Sequence, residues 1–135
     1  KPHVVRKINI SEKTLKLVQN ALRLPVSGAG GTAKVLRNSK FPVSAKTGTA
    51  QNTGFRDDHS WIAGYFPSDD PKIVFVSIIE GGGYGGIASG NMAKLFIQKY
   101  IEIQEAKNNK AASAEAAKNQ NNAADNKTAG NKNKR

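Results

Sequence analysis

Apolar and polar positions along the chain change period several times, and each change predicts an element. Leu15, Val18 and Leu22 recur at i, i+3 and i+7, which predicts a helix over about residues 12–23 with Asn9 or Ser11 as its cap. Pro25 and the run Gly28-Ala29-Gly30-Gly31 end that helix and predict a loop, with a short helical turn over 32–36. From Phe41 to Thr47 the pattern alternates, as in a half-exposed strand, and Pro42 suits a strand start or an edge position. Trp61 to Phe66 reads as a second strand after the polar loop 51–59, and Trp61 reads as core. Ile73-Val74-Phe75-Val76-Ser77-Ile78-Ile79 is a third, apolar on both faces and therefore expected at the covered centre of a sheet. A glycine-rich loop (81–86) leads to a helix over 88–104, whose stripe is Met92, Leu95, Phe96, Lys99 and Ile103, widened by Ile97, Tyr100 and Ile101.

The order helix, three strands, helix has short connections, which favours antiparallel pairing. The expected fold is α/β of the α+β type: a three-stranded antiparallel meander with flanking helices. So few elements leave at least one side of the sheet bare, and the start Lys1-Pro2-His3 has no initiating Met. Both features read as a piece of something longer.

Composition divides the chain near residue 106. Of the formal charge of +11, residues 1–105 carry +6 and residues 106–135 carry +5. The second stretch is alanine-, asparagine- and lysine-rich, with no large apolar side chain, so composition predicts a disordered basic tail. Residues 1–105 then form one small domain. The absence of cysteine excludes disulfides, Cys-ligated zinc and a thiol nucleophile. No apolar run reaches the ~20 residues of a membrane span, and none has the form of a signal peptide. The tail lysines are dispersed, without an arginine cluster or interleaved aromatics, which predicts weak attraction to polyanions and no specific nucleic-acid partner.

The chemistry concentrates in Lys46-Thr47-Gly48-Thr49. On a strand, Lys46 and Gly48 share one face and Thr47 and Thr49 the other. An ammonium, two hydroxyls and a glycine that admits a ligand make a carboxylate-binding edge. Other motifs are weaker. Gly81-x-Gly83-x-x-Gly86 matches a dinucleotide fingerprint but lacks the second parallel strand that such a site needs, so it reads as a turn capping the sheet. Asp57, Asp58 and His59 read as solvated loop residues rather than a metal site, and His3 is isolated.

Lys-Thr-Gly is one of three motifs of the penicillin-recognising serine enzymes. The run Val43-Ser44-Ala45-Lys46-Thr47-Gly48-Thr49-Ala50-Gln51 resembles the version in high-molecular-weight penicillin-binding proteins. His59-Ser60-Trp61-Ile62-Ala63-Gly64-Tyr65-Phe66-Pro67 and Pro71-Lys72-Ile73-Val74-Phe75-Val76 resemble the strands that follow it there. Glu80-Gly81-Gly82-Gly83-Tyr84-Gly85-Gly86-Ile87-Ala88, leading into the last helix, is most similar to the penicillin-binding protein 2 type, the class B transpeptidases of cell elongation. The resemblance covers about residues 10–104 in order and spacing.

That resemblance implies the C-terminal portion of a penicillin-binding/β-lactamase-like transpeptidase fold. It implies that Lys46 supplies charge and proton traffic, and that Thr47, Gly48 and Thr49 bind the carboxylate of a D-Ala-D-Ala stem peptide or a β-lactam. The N–H of Thr49 would be one of two oxyanion-hole donors, the other belonging to the nucleophilic serine. No cofactor and no metal enter this reading. The implied partners are peptidoglycan stem peptides, β-lactams, the N-terminal remainder of the same protein and membrane proteins of the elongation machinery. The implied parent is anchored in the bacterial cytoplasmic membrane, with this segment on the periplasmic side. The family's Ser-x-x-Lys is absent, and Ser89-Gly90-Asn91 follows Lys-Thr-Gly instead of preceding it, so Ser89 reads as a helix cap. The chain therefore holds no nucleophile and is expected to be inactive alone. Two alternatives stand: a related serine D,D-carboxypeptidase, β-lactamase or β-lactam sensor, and a small basic module that binds nucleic acid or a membrane surface.

Overall fold

The computed structural model describes residues 3–54 and 57–130, with side chains described as far as Glu115. Helix α1 (Glu12–Ser27) is followed by a short 3₁₀ turn (Lys34–Leu36), strands β1 (Ser44–Ala50), β2 (His59–Phe66) and β3 (Ile73–Ile79), and helix α2 (Ala88–Gly130). The chain divides into two compact units, Lys1–Gln98 and Lys99–Arg135.

Ser11 is the cap of α1: its hydroxyl accepts the Thr14 N–H at 3.1 Å, and Glu12 places a negative charge in the first turn. The helix runs through Pro25 to Ser27 instead of ending at the proline. Its last turn survives because other groups meet the carbonyls. Ala33 N–H donates to Pro25 O at 2.8 Å, and Gly28 N–H to Leu24 O at 2.8 Å. Arg37 donates to Val26 O at 3.2 Å, to Ser27 O at 3.1 Å and to Gly28 O at 2.7 Å. Proline removes one donor from the ladder, and these contacts hold the turn in place of water.

The sheet is the expected antiparallel meander, in the order β1-β2-β3. Ser44 pairs with Tyr65 and Ala50 with His59, while Ser60 pairs with Ile79 and Phe66 with Ile73. The expectation that β3 is central is corrected: β2 holds the centre and β3 is an edge. Sequential pairing decides this, because the last strand of a meander has one neighbour. Val74 is 79% exposed, and Val76 and Ile78, on the same outer face of the strand, are also exposed, while Phe75 between them is buried.

One face of the sheet carries the core: Ala45 of β1, Ile62 and Phe66 of β2 and Phe75 of β3 are buried, as are Leu36 and Val43. Phe66 packs against Phe75 with ring centroids 6.3 Å apart and against Phe96 at 6.5 Å, edge-on. Trp61 lies on the opposite, outer face and is 38% exposed, which corrects its reading as core. The stripe on α2 is corrected too. Ile97 and Ile101 of the expected stripe are buried, but with them are Ser89 and Ala93, whereas Met92, Leu95 and Phe96 remain exposed. Small residues let the helix approach closely, so the buried face is not the one with the largest side chains.

Lys99–Arg135 begins with a Lys99–Glu102 ion pair at 2.9 Å. Its backbone continues as helix to Gly130, past the end predicted near 104 and through most of the stretch expected to be disordered. A helix closes its own backbone hydrogen bonds, and alanine is the residue that resists it least. Residues 131–135 lie outside the described residues.

Candidate functional site

β1 is the second edge of the sheet, with β2 on one side and, among the described residues, no strand on the other. Alternation along the strand puts Lys46 and Gly48 on one face, both exposed, and Thr47 and Thr49 on the other, where Thr47 is 9% exposed and Thr49 is exposed. An added Cβ at Gly48 would have only Trp61 Cβ as a neighbour, at 3.4 Å, so the space beside Lys46 is open. Lys46 Nζ donates to Thr47 O at 2.6 Å. It also borders a groove of about 610 Å³ whose wall is Val18, Leu22 and Pro25 of α1 and the glycines after it. A cation at the rim of an apolar groove suits a ligand with one anionic group and an apolar body.

The two hydroxyls differ. Thr47 Oγ1 donates to Thr32 Oγ1 at 2.7 Å, on the loop after α1. Thr49 Oγ1 accepts the Gly85 N–H at 3.0 Å, from the glycine-rich loop before α2. Thr32 and Gly85 were not legible as site residues; the glycine run was the only signal, and it carried no indication of which strand it would meet.

Several sequence candidates turn out to tie loops together. Asp58 accepts the Asn52 N–H at 3.0 Å and His59 Nδ1 accepts the Gly81 N–H at 3.0 Å. Gly83 N–H donates to Asp58 O at 2.8 Å, so these residues fasten the 51–58 loop to the glycine-rich loop. Among the described residues no three His, Asp or Glu side chains gather as a metal site. All pairing in the sheet is antiparallel, so the loop 81–86 does not open a dinucleotide-binding unit. Ser89 is not the cap of α2. It lies inside the first turn, fully buried, and donates to Gly85 O at 2.6 Å.

The family model for the penicillin-binding protein transpeptidase domain matches residues 1–98. The chain belongs to this family. Penicillin-binding protein H of Bacillus subtilis is 33% identical to the transpeptidase-domain chain over 114 residues, covering 78% of this chain and 16% of that protein. Peptidoglycan D,D-transpeptidase MrdA of Haemophilus influenzae is 29% identical over 91 residues, covering 56% of this chain and 14% of the relative. This transpeptidase-domain chain thus spans about a sixth of the length of the curated relatives it matches.

Solved structures agree. The D,D-transpeptidase domain of a peptidoglycan glycosyltransferase from Eggerthella lenta superposes with a TM-score of 0.60 at 28% identity, over 70% of this chain and 21% of that one. The complex between penicillin-binding protein PBP2 and MreC from Helicobacter pylori gives a TM-score of 0.52 at 30% identity, over 65% of this chain and 18% of that one. The likeness is to a PBP2-type transpeptidase, and the α+β meander with two helices is the architecture these domains share with it. No described helix of the transpeptidase-domain chain is long and apolar enough to cross a membrane.

Proposed function

We propose that this chain is the Lys-Thr-Gly segment of a serine D,D-transpeptidase that cross-links peptidoglycan stem peptides during cell elongation. The observation that carries the reading is the edge strand itself. Lys46 is exposed beside the open face at Gly48, and two hydroxyls follow at alternate positions on the same strand. In this reading Lys46 holds charge and moves protons, and Thr47, Gly48 and Thr49 bind the terminal carboxylate of the stem peptide or of a β-lactam. The N–H of Thr49 meets the negative charge that develops on the attacked carbonyl. Donors of this kind act only in the transition state, and losing one costs roughly 10²–10³ in rate.

The nucleophilic serine comes from the rest of the same protein, so the chain alone forms no acyl-enzyme. The parent is a membrane-anchored protein with this segment on the extracytoplasmic side. Its partners are membrane proteins of the elongation machinery, a reading favoured by the likeness to the PBP2 that is solved with MreC. A fluorescent penicillin tests the proposal directly. It is expected to label the full-length protein covalently, to leave the 135-residue chain unlabelled, and to label a Lys46→Ala full-length protein at least ~10²-fold more slowly. Covalent labelling of the short chain, or undiminished labelling of the lysine variant, would overturn it.

A further inference from the structure

The hydroxyls of the β1 edge are held by a common neighbour. Gly85 gives its N–H to Thr49 Oγ1 at 3.0 Å, and a Cβ on Gly85 would lie 1.9 Å from Gly48 O. A Cβ on Gly86 would lie 2.2 Å from the carbonyl oxygen of Thr32, the residue whose hydroxyl takes the Thr47 proton. Two adjacent glycines therefore press on the backbone between the two threonines and on the partner of one of them. No side chain fits at either position.

Beneath this dipeptide lie two serines, each fully buried. Ser89 Oγ donates to Gly85 O at 2.6 Å. Ser60 Oγ, on the central strand, lies 2.9 Å from Ser89 Oγ and 3.2 Å from Tyr84 O, and accepts the Ser89 N–H at 3.1 Å. Two hydroxyls buried in a small core are costly unless satisfied, and here every contact converges on Tyr84, Gly85 and the first turn of α2. General packing does not require a polar pair at this place; holding the loop at one height above β1 does.

We infer that the Ser60–Ser89 pair and the Gly85-Gly86 dipeptide form a positioning device that turns Thr49 into an oriented hydroxyl donor for a ligand carboxylate. The inference rests on the reading of β1 as the substrate edge and adds how that edge is tuned. One Thr49 lone pair is taken by the Gly85 N–H, so the Thr49 proton points elsewhere and is available to an anion. The Thr47 proton is committed to Thr32 Oγ1. Of the two hydroxyls, Thr49 is the one that this device orients, while Thr47 is held from the loop after α1 through Thr32. Ser60, Ser89 and Gly85 act through Thr49 and are positioning residues.

The test uses the full-length protein and stopped-flow acylation by a penicillin and by the methyl ester of its carboxylate, separating the binding constant from the acylation rate constant. Ser89→Ala and Ser60→Ala are each expected to weaken binding of the free-acid penicillin by about 3–10-fold, the range of one lost hydrogen bond. The ester, which presents no carboxylate, is expected to bind the variants and the parent alike. Ser89→Thr, which keeps the hydroxyl, is expected to recover most of the loss. Equal weakening for acid and ester would make the serines merely structural and overturn the inference, as would no change in either. An unaltered full-length protein that fails to acylate would overturn the substrate reading, and the inference with it.

Discussion

The two edges of the sheet are dressed in opposite ways. At β1, the exposed edge is polar, and polar contacts hold it: Thr47 to Thr32, Thr49 to Gly85, Lys46 to its own strand. At β3, Val74, Val76 and Ile78 stand exposed with no charged residue inside the strand. A pocket of about 410 Å³ runs alongside, between β3 and the Met92–Phe96 side of α2. An unpaired apolar edge is what proteins ordinarily blunt with lysine, proline or a bulge. The difference teaches that sequence hydrophobicity and the cover actually supplied by this chain diverge at β3 and agree at β1. One edge has its side chains tied to neighbouring loops by hydrogen bonds; the other leaves apolar side chains exposed.

Three substitutions sharpen that contrast. The largest effect belongs to the shared middle. Phe66→Ala removes a ring that is 1% exposed and packed on two other aromatics, and is expected to cost about 3–5 kcal/mol in urea unfolding of the chain. A loss below about 1 kcal/mol would mean that the β2 core does not bind the two edges into one unit. Next is Arg37→Ala, which removes the donor contacts to the carbonyls of Val26 and Ser27 at the end of α1 and of Gly28 just beyond it. A loss of about 1–3 kcal/mol is expected in the same measurement, with faster amide exchange at the end of α1. The smallest is Val76→Lys on the bare edge, expected to change stability by no more than about 0.5 kcal/mol while reducing light scattering on concentration. A destabilisation by several kcal/mol there would show that β3 is covered after all.

Local features were the readable ones. The Ser11 cap, the exact span of β3, the antiparallel meander and the split of Lys46 and Gly48 from Thr47 all follow from periods and from neighbours a few residues away. Misreadings came where burial depends on what lies opposite. Trp61 is large and apolar yet faces outward, because the register that buries Ile62 must turn its neighbour away. On α2 the stripe was read from side-chain size, while the packed face is chosen by how closely the helix approaches; Ser89 and Ala93 won over Met92 and Leu95. Pro25 reads as a stop because nothing near it in sequence announces Arg37 as the group that sustains the next turn.

By itself the sequence determined which family the chain belongs to and which strand bears its Lys-Thr-Gly run, since Lys46 to Thr49 and their flanks are contiguous and need no folded partner to be read. The tertiary structure alone decided what each threonine hydroxyl meets. Thr47 meets Thr32 and Thr49 meets Gly85, contacts 15 and 36 residues apart, and only chain folding brings such groups to hydrogen-bond distance. It also decided that β3, written for a covered centre, stands at an edge, because position in a sheet is a property of pairing and not of composition.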